Sequence, residues 1–362
     1  MARYLEAMRA LFVSGIVLWS VFELASVYFI MPMPFSQRLD TVDLAYALYA
    51  GRWLFRLVVG AMIVAGVRSA WRTSGWRRWL VPGSLLVSAG VAYIANFKMR
   101  AEQIFLTPAS VTMAPADRNT VDSARLVVGI EISGDARAYP LQFLGYHHQV
   151  RDTVGGKPVL VTYCTVCRTG RVFDPVVEGR VETFRLVGMD HFNAMFEDGT
   201  TGSWWRQATG EAVAGPRKGT ALAEIRSHQV TLTQWLALHP GSLIMQPDSA
   251  LSHRYAEGLE FETGNSRRPL TGTDPTSWGE KSWVVGVTVN GRSKAYDWNR
   301  LRRETVVNDD VAGIPLVLVV GPDGASFFAF ERPGASTRFV LRGDSLVADG
   351  EAYAMSGEGR SG

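Results

Sequence analysis

Sulfur and imidazole are scarce in this chain. Of its 362 residues only two are cysteine and six are histidine, and none of either precedes His147. The first part of the chain therefore cannot ligate haem through histidine or pass electrons through thiols, and a multi-disulfide framework is excluded. Charge is also sparse, at 20% of residues. The net +3 conceals a division: residues 1–97 hold nine Arg against four acids, while the remainder holds 28 Lys and Arg against 30 Asp and Glu. The basic excess belongs to the apolar N-terminal part, so no nucleic-acid partner is expected.

What is present first is hydrophobic length. Three apolar runs, Leu11–Ile30, about Leu44–Val67 and Trp79–Phe97, each approach the roughly 20 residues that cross a bilayer. No small-residue cleavage site follows the first, so it reads as an uncleaved helix. Arg3 and Arg9 precede the first run, and Arg68, Arg72, Arg77 and Arg78 lie between the second and third. The positive-inside rule then puts the N-terminus in the cytoplasm, and an odd number of spans puts everything after Phe97 outside. The expectation is a multi-pass protein of the inner (cytoplasmic) membrane with a periplasmic or extracellular C-terminal domain and the lipid bilayer as partner. Glu23, Arg52 and Arg56 fall inside these runs. Intramembrane ions are costly and usually paired. At about 1.5 Å per residue Glu23 and Arg52 reach a similar depth, so they can pair; a second helix starting near Trp53, its arginines reaching the surface, is the competing reading.

Residues 98–123, broken by Pro108 and Pro115, read as a linker, and residues 124–362 as one mainly β (α+β) extracytoplasmic domain. Short β-like runs flank Ser133-Gly134-Asp135, Gly155-Gly156-Lys157-Pro158 and Glu178-Gly179-Arg180, all turn signals. Val127–Pro158 aligns with Val284–Pro315 at a constant offset of 157, with twelve of 32 positions identical. The expected fold is thus three transmembrane helices followed by two tandem copies of one β unit. Repeat one runs over about 124–188, a connecting segment over 189–281 and repeat two over about 282–340, with a flexible tail over about 351–362. In the same register Cys164 falls on Gly321, Cys167 on Gly324, and His147 and His148 on Glu304 and Thr305. The second copy keeps the scaffold and lacks the sulfur and imidazole.

Both cysteines lie in VLVTYCTVCRTG, a C-x-x-C pair at the end of a β-like run. A structural disulfide would close only about four residues, stabilising by roughly 2 kcal/mol against nearly 5 for a long loop. Thiol–disulfide exchange is favoured by Arg168 and Arg171, whose charge supports the attacking thiolate, with an extracytoplasmic redox partner implied. The surrounding pattern is not thioredoxin-like. A metal site would join Cys164 and Cys167 to His147 or His148, with His191, Met189 or Met195, and suits copper or zinc. A c-type haem needs C-x-x-C-H, and Arg168 holds that place. Counting outward from a four-residue turn at Gly155–Pro158, His148 faces Thr165 and approaches the thiols as base or ligand, while His147 points to the other face. Ser203, Trp205 and Gln207 alternate in SWWRQ and form either a substrate pocket or core packing. A non-enzymatic binding module with a structural disulfide stays open beside the enzyme.

These residues also carry a resemblance. His148, Asp152, Gly156-Lys157-Pro158, YCTVC with Gly170, Asp198, Ser203, Trp205, Gln207, Gly210-x-Ala212 and SRRPLTGTD occur in one order. The pattern, over roughly Arg125 to Pro333, resembles the bacterial domain-of-unknown-function family 3179. The resemblance implies kinship more than activity, and implies redox chemistry at the cysteine pair insofar as some members are selenoproteins. Arg168 departs from it, standing where members often have a small residue.

Overall fold

The computed structural model describes residues 2–73, 75–256, 259–357 and 359–360. Contacts divide the chain into two compact units, Met1–Thr107 with Pro175–Ala223, and Pro108–Asp174 with Glu224–Gly362. This division cuts across the linear order expected from the sequence, because 175–223 groups with the N-terminal helices. Residues 98–123 are also partly ordered into a short helix, Ala101–Ile104, and a strand, Met113–Ala114.

Besides Ala101–Ile104, the first unit holds the helices α1 (Ala2–Tyr28), α2 (Val42–Ala50), α3 (Arg52–Trp71) and α4 (Leu80–Phe97). Arg3–Tyr28, Arg52–Trp71 and Gly75–Phe97 are long and apolar enough to cross a membrane. The second apolar run is therefore broken at Gly51, and its first part is the separate helix α2. Small residues let α1 and α3 approach closely: a Cβ at Gly66 would lie 2.5 Å from Met8 O, and one at Gly15 would lie 2.7 Å from the Ile63 side chain. The Glu23 carboxylate is buried and takes two 2.7 Å hydrogen bonds from Arg56 and one of 2.7 Å from Asn96 Nδ2 of α4. The partner of Glu23 is thus Arg56 and not Arg52. Because α3 starts at Arg52, that residue sits on the first turn, and Arg56 one turn further in meets α1.

The same unit holds a four-stranded antiparallel sheet, ordered Ala212–Ala214, Trp204–Arg206, Asn193–Asp198, Phe184–Asp190. Met189 N–H donates to Ile30 O at 2.8 Å, and a Cβ at Gly188 would collide with that carbonyl. Trp204, Met195 and Val187 pack with Ile30 and Ala45, so this sheet and the chain after α1 share one core.

In the second unit Leu126–Ile132 and Asp135–Pro140 form a hairpin, the helix Leu141–His147 follows, and Gln149–Val154, Lys157–Cys164 and Thr169–Phe173 make an antiparallel set. Further on, Val284–Val289 and Arg292–Asp297 form a hairpin, Trp298–Glu304 a helix, and Val306–Val311, Ile314–Val320 and Phe327–Glu331 a second antiparallel set. The pairings correspond: Gln149 faces Thr162 and Val306 faces Val319, Leu160 faces Phe173 and Val317 faces Phe330. One core contains Val161, Tyr163 and Val172 together with Val317, Val319 and Phe328. The helix Leu232–Leu238 packs in this unit, with Thr231 Oγ1 accepting Gln234 N–H at its start.

One expectation is corrected here. The turn before the cysteine strand has two residues, not four: Gly155 and Gly156 have φ of 54° and 78°, and Val154 faces Lys157. Consecutive glycines at positive φ make the tight hairpin turn whose twist matches the strands. The register therefore shifts by two, and Asp152 faces Val159 rather than Val161. At the start of the tail, Glu351–Tyr353 is a strand paired with Ser345–Ala348. Residues 358, 361 and 362 of that tail lie outside the described residues.

Candidate functional site

The cysteine strand ends where Cys164 faces Thr169, and the chain turns through Thr165–Arg168. No disulfide joins the pair; Cys164 is buried and Cys167 exposed. The Cys167 N–H donates to Cys164 Sγ across 3.4 Å, a bond that closes the turn onto the buried sulfur. Arg168 completes the turn with φ of 53°, a conformation that costs a side-chain-bearing residue about 1–2 kcal/mol. Its guanidinium supplies the compensation. It donates to the carbonyls of Phe261 and Glu262, the latter at 2.8 Å, and lies 3.7 Å from the Trp283 ring centre. These carbonyls end the short helix Leu259–Glu262, so Arg168 caps it from outside. Burial pushes the Arg168 guanidinium down, while Tyr163 and Glu262 oppose that shift. Arg171, by contrast, pairs with Glu224 at 2.6 Å on the surface.

Tyr163, which precedes Cys164, is fully buried, and its hydroxyl has no hydrogen-bond partner among the described residues. Burial pushes this hydroxyl up; Arg168 counteracts, and Cys164, Glu262 and Cys167 reinforce. Five polar groups therefore share one electrostatic neighbourhood. Glu262 is also pushed up by burial, opposed by the Leu126 N–H that it accepts at 2.6 Å.

The histidines end the helix that packs on this turn. A Cβ at Gly145 would lie 2.9 Å from the Phe261 ring and 3.2 Å from Thr165, so helix, turn and Phe261 fit together only around glycine. His147 is buried, with Nε2 2.8 Å from Tyr255 Oη. His148 takes the left-handed cap position, φ 61°, and its carbonyl accepts the Tyr163 N–H at 2.9 Å. It is therefore opposite Tyr163 and not Thr165. Its ring Nδ1 is 3.2 Å from Tyr146 O, and burial lowers its pKa to about 4 against that bond.

The other expected site residues are in the first unit. Trp205 Nε1 donates to Asp198 at 2.8 Å, Ser203 Oγ accepts Arg217 N–H at 3.0 Å, and Gln207 Oε1 accepts Asn193 Nδ2 at 3.1 Å. All three are buried in these networks. His191 Nδ1 is 2.7 Å from Asp190, which also pairs with Arg206. Met189, His191 and Met195 border one cavity with Phe29, Ile30 and Gln37. The copper or zinc set of Cys164, Cys167, His147, His148 and His191 is thus divided, His191 in one unit and the rest in the other. Among the described residues, no group of three or more His, Cys, Asp or Glu is placed to hold a metal ion.

Sequence reasoning missed Tyr163, Glu262, Phe261 and Trp283 as neighbours of the thiols. Tyr163 stood in the motif itself; the others lie about a hundred residues away with no spacing signal. No curated protein and no solved structure matches this chain. Residues 106–362, which include every residue of the cysteine turn, match the family described as protein of unknown function (DUF3179), and the chain belongs to that family.

Proposed function

We propose that this is a membrane-anchored thiol–disulfide redox protein acting through Cys167 and Cys164. The observation that carries the reading is the asymmetric pair: an exposed thiol whose own backbone N–H holds a buried one three residues away. The Cys167 thiolate attacks a disulfide of an extracytoplasmic partner, forming a Cys167–partner disulfide and releasing the partner's other sulfur as thiolate. Cys164, deprotonated, then attacks the Cys167 sulfur, closes the Cys164–Cys167 disulfide and releases the second partner thiolate. The partner gains two electrons and the pair loses two. A hydrogen-bond donor on Cys164 Sγ favours the anionic sulfur that this second step needs. His148, made a weak base by burial, serves as a positioning residue that fixes the strand end through its carbonyl.

The anchor is the three long apolar helices, with the N-terminus and Arg68–Arg78 inside and the cysteine turn outside. Val284–Glu331 is a second copy of the unit around the cysteines, kept as scaffold; the matching element order and pairing support that reading. Copper or zinc held by the same thiols, or a binding module with a structural disulfide, would give a different result in the following test. Cys164→Ser in membranes should accumulate a mixed disulfide through Cys167, visible as a reducible high-mass band, and Cys167→Ser should not. Equal behaviour of the two variants contradicts the proposal. Reporter fusions at Thr73 and after the last residue should respond oppositely; matching responses refute the orientation.

A further inference from the structure

Where α1 finishes and α3 begins, a shallow, open cleft is lined by Arg52, Arg56, Arg100 and Arg185, with Tyr49 and Glu102. Guanidinium groups gathered at the end of an apolar bundle require anions. Arg56 has Glu23 at 2.7 Å, Arg185 has Glu197 at 2.7 Å and Glu102 at 2.8 Å, and Arg100 is 3.7 Å from Glu102. Four cations thus meet three carboxylates, which leaves one positive charge unmatched. That charge belongs to Arg52. Its Nη1 donates to Tyr49 O at 2.5 Å and its guanidinium lies 3.8 Å from the Tyr49 ring centre, and among the described residues it pairs with no carboxylate.

The neighbouring surface is apolar. Trp53, Leu54 and Leu57, from the same two turns of α3, are 64%, 70% and 71% exposed. A ligand here meets hydrocarbon on one side and a surplus of one guanidinium on the other. We infer that the cleft binds the phosphodiester headgroup of a net-anionic phospholipid, with Arg52 as the residue that contacts it. Guanidinium forks match phosphate oxygens in bidentate geometry, and a single surplus charge suits a monoanion. The exposed α3 face takes the acyl chains. A soluble phosphate offers the same oxygens without the chains. The inference rests on the membrane-spanning reading, whose own failure would show separately, as release of the chain from membranes by an alkaline wash.

The test uses the full chain in nanodiscs of equal phosphatidylglycerol and phosphatidylcholine, with retained lipid read by native mass spectrometry. Phosphatidylglycerol should be retained over phosphatidylcholine. Arg52→Gln should reduce that retention by roughly tenfold, the scale of one lost charged hydrogen bond. Inorganic phosphate should not displace the lipid. Should Arg52→Gln lower the thermal midpoint of delipidated protein, Arg52→Lys carries the test, with retention falling at an unchanged midpoint. Equal retention by wild type and variant, equal uptake of the two lipids, or displacement by inorganic phosphate each overturns the inference.

Discussion

The backbone N–H of Cys167 points at the Sγ of Cys164, 3.4 Å away, so the exposed residue of the pair holds the buried one. In the proposed redox reading this exposure order becomes a chemical order, Cys167 meeting a partner first and Cys164 resolving. A bulky maleimide added to the reduced native protein should label Cys167 rapidly and Cys164 only after denaturation. Equal labelling rates, read by peptide mapping, would remove the asymmetry on which the mechanism depends.

Burial of His148 makes a pH prediction. Its folded pKa is about 4 and the unfolded value about 6.5, so the unfolded chain binds more protons between those values. Stability is complete above about pH 6.5 and falls as the pH drops towards 4, by a few kcal/mol on the order of the shift. His228 is lowered to about 4 by burial and acts in the same direction. Denaturant midpoints at pH 7 and pH 5 should show the loss, and His148→Asn should make the slope shallower. A slope unchanged in that variant would mean that His148 titrates normally.

Glu23 and Arg56 join α1 to α3 inside the apolar bundle. Glu23→Ala should lower stability in detergent by about 1.5–3 kcal/mol, since the half-buried Arg56 guanidinium then keeps only its bond to Asn96. The double variant Glu23→Leu with Arg56→Leu should recover much of that loss, as measured by thermal midpoint. A double variant no better than the single would indicate that the bonds to Asn96 carry the site instead.

Gly145 is the place where the histidine helix, Phe261 and the cysteine turn touch. Gly145→Ala forces a methyl to 2.9 Å from the Phe261 ring, which should cost about 1–3 kcal/mol and alter the labelling rate of Cys167. Arg302 stands at the corresponding place of the second set, so Arg302→Ala should leave the labelling rate unchanged.

How far the sequence spoke for itself differs from element to element. The apolar runs announced α1, α3 and α4, because a membrane-length helix needs no partner to be recognised. Glycine pairs announced the hairpins, yet counting Lys157 and Pro158 into the turn displaced the register by two, since proline is admissible at a strand's first residues. The strands around Trp204 and Trp205 were legible as strands. Alternation says which face is buried but not which core receives it, so their grouping with the N-terminal helices was hidden. The thiols were plain from their scarcity. Their neighbours Glu262 and Trp283 were not, because a single capping arginine, Arg168, brings those distant residues to the turn.

The most direct test of the redox reading is a titration of the full-length protein in membranes against glutathione buffers of graded potential. Thiols are trapped at each point and the Cys164–Cys167 peptide is read by mass. The account predicts a reversible transition between dithiol and disulfide within the extracytoplasmic range, lost in Cys164→Ser and Cys167→Ser. A pair that stays in one state throughout, or that carries stoichiometric copper or zinc as isolated, would contradict it.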